Sequence, residues 1–267
     1  MCMLLNILTT NVGHAAAVAV MLCCAGAPPV AALSPSDAGR RLMAAYPDHI
    51  AAVEDNVLVW RDGTRMAIDD GTGPKSFDAL LAAPDLEDIF AIPYPAGDPA
   101  APGIDEDPGR ARPEAFFDKM YGNCRTGRLA AELVAVDWLP AKGGGKLEVT
   151  PVNGVADKLR AISAELDRLP ASFDDYLSPV AGSYNCRTIA GTRRTSTHGH
   201  GIAVDLALKQ ADYWRWTKPD AAGRYAWRNR IPIEIVRIFE RHGFIWGGRW
   251  YHFDTMHFEY RPELLAK

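Results

Sequence analysis

The sequence predicts an α+β fold in which helices flank an antiparallel sheet. Strand-like and helical segments do not alternate regularly along the 267 residues, and no internal repeat is visible. Apolar residues recur at helical spacing from Val155 to Leu169, which indicates one core helix. A chain of this length can bury one substantial core with an appendage. Its 48% apolar and 23% charged residues are typical of an ordinary globular protein.

A small substructure that contains a hairpin is predicted near the N-terminus. The strand-like segments 56–60 and 65–68 flank Arg61-Asp-Gly-Thr64, a typical turn sequence. Residues 91–113 are rich in proline, glycine and aspartate, which predicts a long ordered excursion or a linker. A disordered tether is the alternative. The aromatic cluster at 116–121 favours docking of this stretch on the core.

The rest of the chain supplies the main elements of the predicted sheet and its helices. Residues 132–139 and 146–150 have strand-like content on either side of a glycine-rich turn. Pro232 fits the first turn of a helix from Ile233 to His242, which Gly243 ends. Residues 244–250 then turn tightly into a further strand.

The N-terminal segment is typical of a secretory signal. Residues 1–36 contain no Lys, Arg, Asp or Glu, and the apolar run 15–26 is too short to span a bilayer. Small residues at 30–32 offer a cleavage site, so the mature chain would start near Leu33. The segment lacks the usual basic start. A buried helix and a lipid anchor at Cys23 or Cys24 are the alternatives.

Removal of residues 1–32 leaves two cysteines, Cys124 and Cys186. An even pair in an exported protein suggests one disulfide, and two free buried thiols are the alternative. The formal net charge of −4 gives no basic surface of the kind expected for binding nucleic acid or anionic membranes. We also expect no stable membrane span in the mature chain.

Two short stretches hold candidate metal ligands. Residues 196–205 offer two imidazoles and a carboxylate between small residues. Residues 254–259 offer a third imidazole, with one carboxylate three residues before it and another two residues after it. Two neutral imidazoles and one carboxylate suit zinc and leave a fourth tetrahedral position for water. The candidate residues are His198, His200, Asp205, Asp254, His257 and Glu259.

The spacing within the first stretch requires a bend. On one regular strand, His198 and Asp205 would lie on opposite faces because strand side chains alternate. Gly199 and Gly201 can supply the bend, since glycine accepts backbone angles that other residues resist. His198 and His200 could instead form a pair on one face. Spacing alone does not choose between these arrangements.

The residues around these stretches resemble a known family. Ser-x-His-x-x-Gly-x-Ala-x-Asp at 196–205, Trp-Gly-Gly at 246–248 and Asp-x-x-His-Phe-Glu at 254–259 are similar to the motifs of zinc D-alanyl-D-alanine carboxypeptidases and L-alanyl-D-glutamate peptidases. These enzymes cut the stem peptides of bacterial peptidoglycan and have the Hedgehog/DD-peptidase fold. The resemblance covers about residues 155–263.

This resemblance implies the roles of the site residues. His198, Asp205 and His257 would bind one zinc ion per chain, and Asp254 would be the general base where many members have Glu. An Asp at this position resembles the endolysin-like branch, so the bond that is cut stays open. Strand spacing alone favours Glu259 as the neighbour of zinc, because Glu259 shares a face with His257. If Asp254 is the base, Glu259 would hold an imidazole N–H or pair with Arg261.

Further residues are expected to meet the substrate. Arg187 resembles the family arginine that grips substrate and stabilises the developing oxyanion, and Arg193 and Arg194 compete for this role. Ser196 would assist through a substrate hydrogen bond. His252 is a candidate for touching substrate or orienting a ligand.

The sequence patterns therefore predict a signal peptide at 1–32 and a hairpin-containing segment with its Pro-rich excursion at 33–113, and the resemblance implies a zinc peptidase catalytic domain at 114–267. The expected function is an exported, periplasmic or extracellular zinc metallopeptidase that acts on peptidoglycan stem peptides like a D-alanyl-D-alanine carboxypeptidase. An L-alanyl-D-glutamate endopeptidase and a non-catalytic, zinc-stabilised wall-binding protein are the alternatives. A serine acyl-enzyme is a weaker option, because Ser-x-x-Lys is lacking in a suitable context.

Overall fold

A computed structural model describes residues 33–95, 97–190 and 192–265. The segment expected to be a signal peptide lies outside these residues. The helices are α1 (Pro35–Ala45), α2 (Phe77–Ala82), α3 (Glu114–Tyr121), α4 (Arg128–Glu132), α5 (Val155–Asp167), α6 (Asp174–Leu177), α7 (Ile233–Arg241) and α8 (Pro262–Leu265). The strands are β1 (Ile50–Glu54), β2 (Val57–Trp60), β3 (Arg65–Ala67), β4 (Val134–Asp137), β5 (Lys146–Val149), β6 (Ala203–Asp205), β7 (Phe244–Trp246) and β8 (His257–Tyr260).

The strands pair as three small antiparallel sheets, in the orders β1-β2-β3, β4-β5 and β6-β8-β7. The predicted α+β class is confirmed. The predicted hairpin is β2-β3, with β1 as an additional partner that the sequence did not reveal. The segments predicted as strands around residue 140 are β4 and β5, and the two predicted helices are α5 and α7.

The β6-β8-β7 sheet is covered by α7. Helix α7 turns Ile235, Val236 and Phe239 inward, and the ring of Phe239 stacks on Phe258 of β8 with centroids 3.9 Å apart. Strand β8 is buried along its whole length. Since strand side chains alternate, Phe258 serves the core while its two neighbours in β8 point to the other face of the sheet. That other face carries the candidate site.

The N-terminal elements and the C-terminal elements share one hydrophobic core. Phe116 of α3 lies with its ring centroid 5.5 Å from that of Trp60 in β2 and 5.8 Å from that of Tyr46 after α1. The Tyr46 hydroxyl donates to Glu263 of α8 at 2.6 Å. These contacts hold the C-terminal end of α1 against α8.

The Pro-rich stretch is an ordered excursion that docks beside β8. Tyr251 N–H donates to the carbonyl of Glu106 at 2.9 Å, and the Trp250 indole N–H donates to the carbonyl of Pro108 at 2.7 Å. Further along, Arg261 donates to the carbonyl of Gly109 at 2.6 Å. The disordered-tether alternative is therefore wrong for this part of the stretch. In the described part of the chain, no helix is long and apolar enough to cross a membrane.

The predicted disulfide between Cys124 and Cys186 is confirmed, with Cα atoms 5.7 Å apart. Cys124 follows α3, and its Sγ lies 3.2 Å from the Cβ that a side chain at Gly199 would have. The bridge thus packs against the turn that carries His198.

Replacing both cysteines by alanine should lower the free energy of unfolding by about 2–4 kcal/mol, because the bridge joins residues 62 positions apart. For a domain of this size we expect the melting temperature to fall by roughly 5–15 °C. Thermal denaturation of the two proteins measures the difference. Alkylation of the unreduced, denatured protein is the control, and labelling of both cysteines would show that the bridge is absent.

Candidate metal centre

Strand pairing brings the two motif stretches together. In the antiparallel pair β6-β8, Asp205 is directly opposite His257, and Ala203 is opposite Glu259. Directly opposed side chains on one face of an antiparallel pair are about 4.5–5.5 Å apart at Cβ. The register therefore sets the carboxylate of Asp205 against the ring of His257.

A helical turn before β6 positions the second imidazole, that of His198. Residues Thr197–His200 form one 3-10 turn, which ends at Gly201 with a left-handed φ of 67°. A side chain at Gly201 would also meet the backbone N of Thr150 at 2.9 Å. The predicted bend is confirmed, and it brings His198 back over Asp205.

The three predicted ligands lie together. His198 Nε2 is 3.2 Å from Asp205 Oδ2, His257 Nδ1 is 2.9 Å from Asp205 Oδ1, and the two ring nitrogens are 3.2 Å apart. In a tetrahedral zinc site with bonds of 2.0–2.2 Å, neighbouring ligand atoms are roughly 3.3–3.6 Å apart. The donor types suit zinc, and the separations of 2.9–3.2 Å need to open only slightly to reach this spacing. His198 and His257 are both buried, at 3% and 6% exposure.

The remaining ring nitrogens have acceptors that orient the imidazoles. His198 Nδ1 lies at 2.5 Å from the carbonyl oxygen of Ser183, and His257 Nε2 lies at 3.0 Å from Glu259 Oε2. With these acceptors, each ring in its neutral form can donate its N–H away from the group and present the lone pair of its other nitrogen to a metal ion. This is the usual arrangement of metal-bound histidine.

Glu259 is the centre of a buried network of charges. Its side chain is 0% exposed. It accepts two hydrogen bonds from Arg112, at 3.1 and 2.5 Å, and one from Arg261 Nη1 at 3.0 Å. The hydroxyl of Thr197 donates to Oε2 at 3.0 Å. Burial would raise the pKa of Glu259, but the charge of Arg112, the hydrogen bond to His257 and the charge of Arg261 hold this pKa well below its usual value. Glu259 is therefore a fixed anion that is fully occupied as an acceptor.

His200 interacts with helix α3 and not with the three candidate ligands. Its Nε2 lies 2.9 Å from Asp118 Oδ1 in α3, and its ring packs against Phe117 with centroids 6.0 Å apart. The alternative in which His198 and His200 form the metal pair is therefore not the arrangement of this protein.

Asp254 lies in the turn before β8 and lines the same cavity as His198 and His257. Its N–H donates to the carbonyl of Gly247 at 3.0 Å, and its carbonyl accepts from His257 N–H at 3.1 Å. A side chain at Gly247 would lie 2.5 Å from this carbonyl, so the close turn requires glycine. Within the described chain, Asp254 Oδ1 is buried without a hydrogen-bond partner.

The environment of Asp254 raises the pKa of its carboxyl group in the metal-free site. Burial raises the pKa of this carboxyl to about 6, and the charge of Asp205 acts in the same direction. His257 opposes the shift. A partly buried carboxyl with a free oxygen and a pKa near neutrality is suited to exchange a proton.

The cavity around these groups is lined by arginine and aromatic side chains. Arg187 and Ser196 both line it, as the sequence predicts, and Ser196 is 5% exposed. His252 is not among the described lining residues. Its Nδ1 lies 2.8 Å from Asp107 Oδ2, and its ring packs against Trp214 with centroids 4.7 Å apart. His252 thus anchors the Pro-rich excursion behind the cavity wall.

Sequence reasoning missed several residues of the site. Arg110 and Arg112 come from the Pro-rich excursion, and Thr197 lies inside the recognised motif at a position to which no role was given. The hydrogen-bonding capacity of Thr197 next to His198 was a usable signal. The two arginines gave no such signal, because they are far from Glu259 in sequence, at 147 positions for Arg112. The lining residues to which the sequence assigned no role are Arg110, Arg112, Ile189, Ala190, Thr197, Tyr213 and Arg215.

The comparisons with known proteins agree with this geometry. Residues 190–260 match the model of a family described as D-alanyl-D-alanine carboxypeptidase. The matched segment contains the three candidate ligands and Asp254. The resemblance found in the sequence is confirmed for this segment, which is similar to the D-alanyl-D-alanine carboxypeptidase family. No curated protein and no solved structure matches the chain significantly.

Metal binding should release a proton. Burial lowers the pKa of the His257 ring, but the hydrogen bonds to Asp205 and Glu259 outweigh burial and raise this pKa to about 9. The metal-free ring is therefore protonated at pH 7, and a metal competes with its proton until the pH exceeds about 9. We expect about one proton released per zinc at pH 7 and an affinity that rises with pH.

Calorimetry in buffers of different ionisation enthalpy measures this release. Glu259→Gln is the matched variant, because it removes one of the carboxylates that hold the proton and should reduce the release. Zinc binding without proton release at pH 7 would contradict the proposed ligand set.

Proposed function

We propose that the chain is a zinc-dependent peptidase that hydrolyses peptidoglycan stem peptides in the manner of a D-alanyl-D-alanine carboxypeptidase. The observation that carries this proposal is the convergence of His198 Nε2, Asp205 and His257 Nδ1 in a cavity shared with Asp254. This convergence lies within the segment that matches the carboxypeptidase family. His198, Asp205 and His257 would hold a zinc ion, and the ion would supply Lewis-acid polarisation of the scissile carbonyl and a coordinated water with a pKa lowered to about 7.

Asp254 acts as the general base in this proposal. Its Oδ1 has no hydrogen-bond partner among the described residues, and Asp254 lines the cavity together with His198 and His257. In this role Asp254 accepts a proton from the attacking water and later gives it to the leaving amine. Glu259 does not suit this role, because Arg112, Arg261, Thr197 and His257 already occupy its oxygens. Glu259 instead acts as a positioning residue that fixes the orientation of His257.

Arg187 binds the substrate and stabilises negative charge on the reacting carbonyl. It is exposed at the wall of the cavity that His198, His257 and Asp254 also line. A planar fork of donors fits both a carboxylate and a tetrahedral oxyanion.

The non-catalytic alternative requires a fourth protein ligand that closes the metal site. The two candidates for this were His200 and Glu259. His200 is bound to Asp118, and Glu259 contacts the Nε2 of His257 on the side away from the group. This arrangement favours turnover over a purely structural metal. The disulfide supports export to an oxidising compartment such as the periplasm.

Substitutions at 205 and 254 separate a metal ligand from a base. Asp205→Ala should lose both zinc and activity, because two imidazoles alone bind the metal poorly. Asp254→Asn should keep zinc and lose turnover by about a hundredfold or more, the usual scale for a positioned general base. Zinc content by metal analysis and product masses from stem peptides measure the two effects, and the masses also report which bond is cut.

Glu259→Gln is the control for this pair of variants. It leaves Arg112 and Arg261 without their carboxylate, so we expect weaker zinc binding and a lower melting temperature together with any loss of rate. If Asp254→Asn stays active while Glu259→Gln is dead with zinc bound and the fold intact, the base is Glu259.

Arg187→Ala should lower turnover by about a hundredfold to a thousandfold while zinc content stays unchanged, since the proposed charge acts on substrate. Arg193→Ala is the matched control, because Arg193 is an exposed neighbour that is not among the described lining residues. Steady-state rates on a stem pentapeptide measure the effect. Normal turnover of Arg187→Ala would assign the oxyanion role to another group.

A further inference from the structure

The cavity holds more positive charge than the proposed reaction uses. Among the described residues that line it, five are arginines and only Asp254 is acidic. A cavity with this imbalance attracts anions and raises their local concentration. The arginines are Arg110, Arg112, Arg187, Arg194 and Arg215.

Two of these arginines have partners of their own. Arg112 is paired with Glu259 through two contacts. Arg110 lies with its guanidinium carbon 4.4 Å from the ring centroid of Trp250, donates to the carbonyl of His252 at 2.9 Å and lies 3.6 Å from Asp107 Oδ2. Their positions are explained by contacts within the protein.

Arg194 differs from Arg110 and Arg112 in having few contacts with the rest of the protein through its guanidinium group. It is partly buried, yet in the described structure it forms no ion pair, and its one side-chain hydrogen bond is a long one of 3.4 Å to the carbonyl of Arg110. Burial and the charges of Arg112 and Arg110 lower the pKa of Arg194 to about 10, so the group is still a cation at neutral pH. A guanidinium has five N–H donors. Most of those on Arg194 are available to a ligand.

Arg194 is also set apart from the reacting groups. Besides the main cavity, Arg194 lines a second cavity with Glu114 and His200, and none of the candidate metal ligands is among the described residues that line this second cavity. Arg112 contacts Glu259, which binds His257 on the Nε2 side, opposite the ring nitrogen that faces the metal group. An anion on Arg194 would therefore be bound beside the reaction centre and not at it.

We propose that Arg194 forms a subsite for a second, non-reacting carboxylate of the substrate. This inference rests on the proposed peptidase function and narrows its substrate class to acidic peptides that carry a free internal carboxylate. A carboxylate accepts two parallel N–H bonds from a guanidinium fork. Such an anion would also relieve the repulsion between Arg194 and its two arginine neighbours.

The test uses two peptides that differ only in internal charge. The first is L-alanyl-γ-D-glutamyl-meso-diaminopimelyl-D-alanyl-D-alanine, and the second is the same peptide with both internal free carboxyls converted to amides. Their affinities for the zinc-loaded Asp254→Asn protein are measured by calorimetry, and their cleavage by the wild-type protein is measured by mass spectrometry. We expect the acidic peptide to bind about tenfold or more tightly than the amidated one, as for a charged hydrogen-bonded pair.

In the Asp254→Asn protein, the further substitution Arg194→Gln should reduce the ratio of the two peptide affinities to near one. The further substitution Arg193→Gln should leave this ratio unchanged. A folding defect would weaken both peptides alike, so the ratio reports the subsite itself. Equal binding of the two peptides, or an unchanged ratio in Arg194→Gln, overturns the inference. If neither peptide binds, the subsite and the proposed function both fail. Binding with the expected ratio but without wild-type cleavage supports the subsite and refutes the peptidase proposal.

Discussion

The buried carboxylate of Glu259 is the contact on which the candidate site depends. It joins four parts of the chain, through Arg112 of the Pro-rich excursion, Thr197 of the turn before β6, His257 of β8 and Arg261 after β8. Each partner satisfies part of a charge that would be costly to bury alone. Removing one partner of such a buried ion pair costs about 3–5 kcal/mol. The orientation of His257 is therefore tied to the stability of the fold around it.

This dependence explains why the Pro-rich excursion is ordered. Proline restricts the backbone and so reduces the entropy that the excursion loses on docking. Asp107 holds His252, and Arg112 reaches Glu259, so the excursion forms part of the wall of the site. The peptidase motif alone supplies the ligands, while residues 107–112 supply part of the charge around them. Substrate selection can thus depend on a segment that lies outside the segment matching the family model.

The sequence predicted those parts of the structure that depend on local patterns. The spacing of Val155 to Leu169 located α5, and Pro232 with Gly243 bounded α7, because periodicity and helix ends are local properties. The glycines at 199 and 201 predicted the bend, and the resemblance to the zinc peptidases selected His198, Asp205 and His257 from the candidate ligands. Strand alternation also placed Glu259 on the face of His257, although it could not show that arginines fill its oxygens.

Features that depend on long-range contacts were beyond the sequence. Nothing local connects Arg112 with Glu259 or Asp107 with His252, which are 147 and 145 positions apart. The choice between His200 and Asp205 as partner of His198 was open for the same reason. It depended on Asp118 in α3, which occupies His200. The three separate small sheets also follow from tertiary packing and not from strand propensity.

The central claim is that His198, Asp205 and His257 together hold one zinc ion and leave a position open for water. Diffraction from crystals of the zinc-loaded protein, recorded on both sides of the zinc absorption edge, tests this claim directly. We expect one anomalous peak within about 2.0–2.2 Å of His198 Nε2, His257 Nδ1 and an Asp205 oxygen, with a non-protein fourth ligand. A peak coordinated by His200 or Glu259, or no peak at this group, would contradict it.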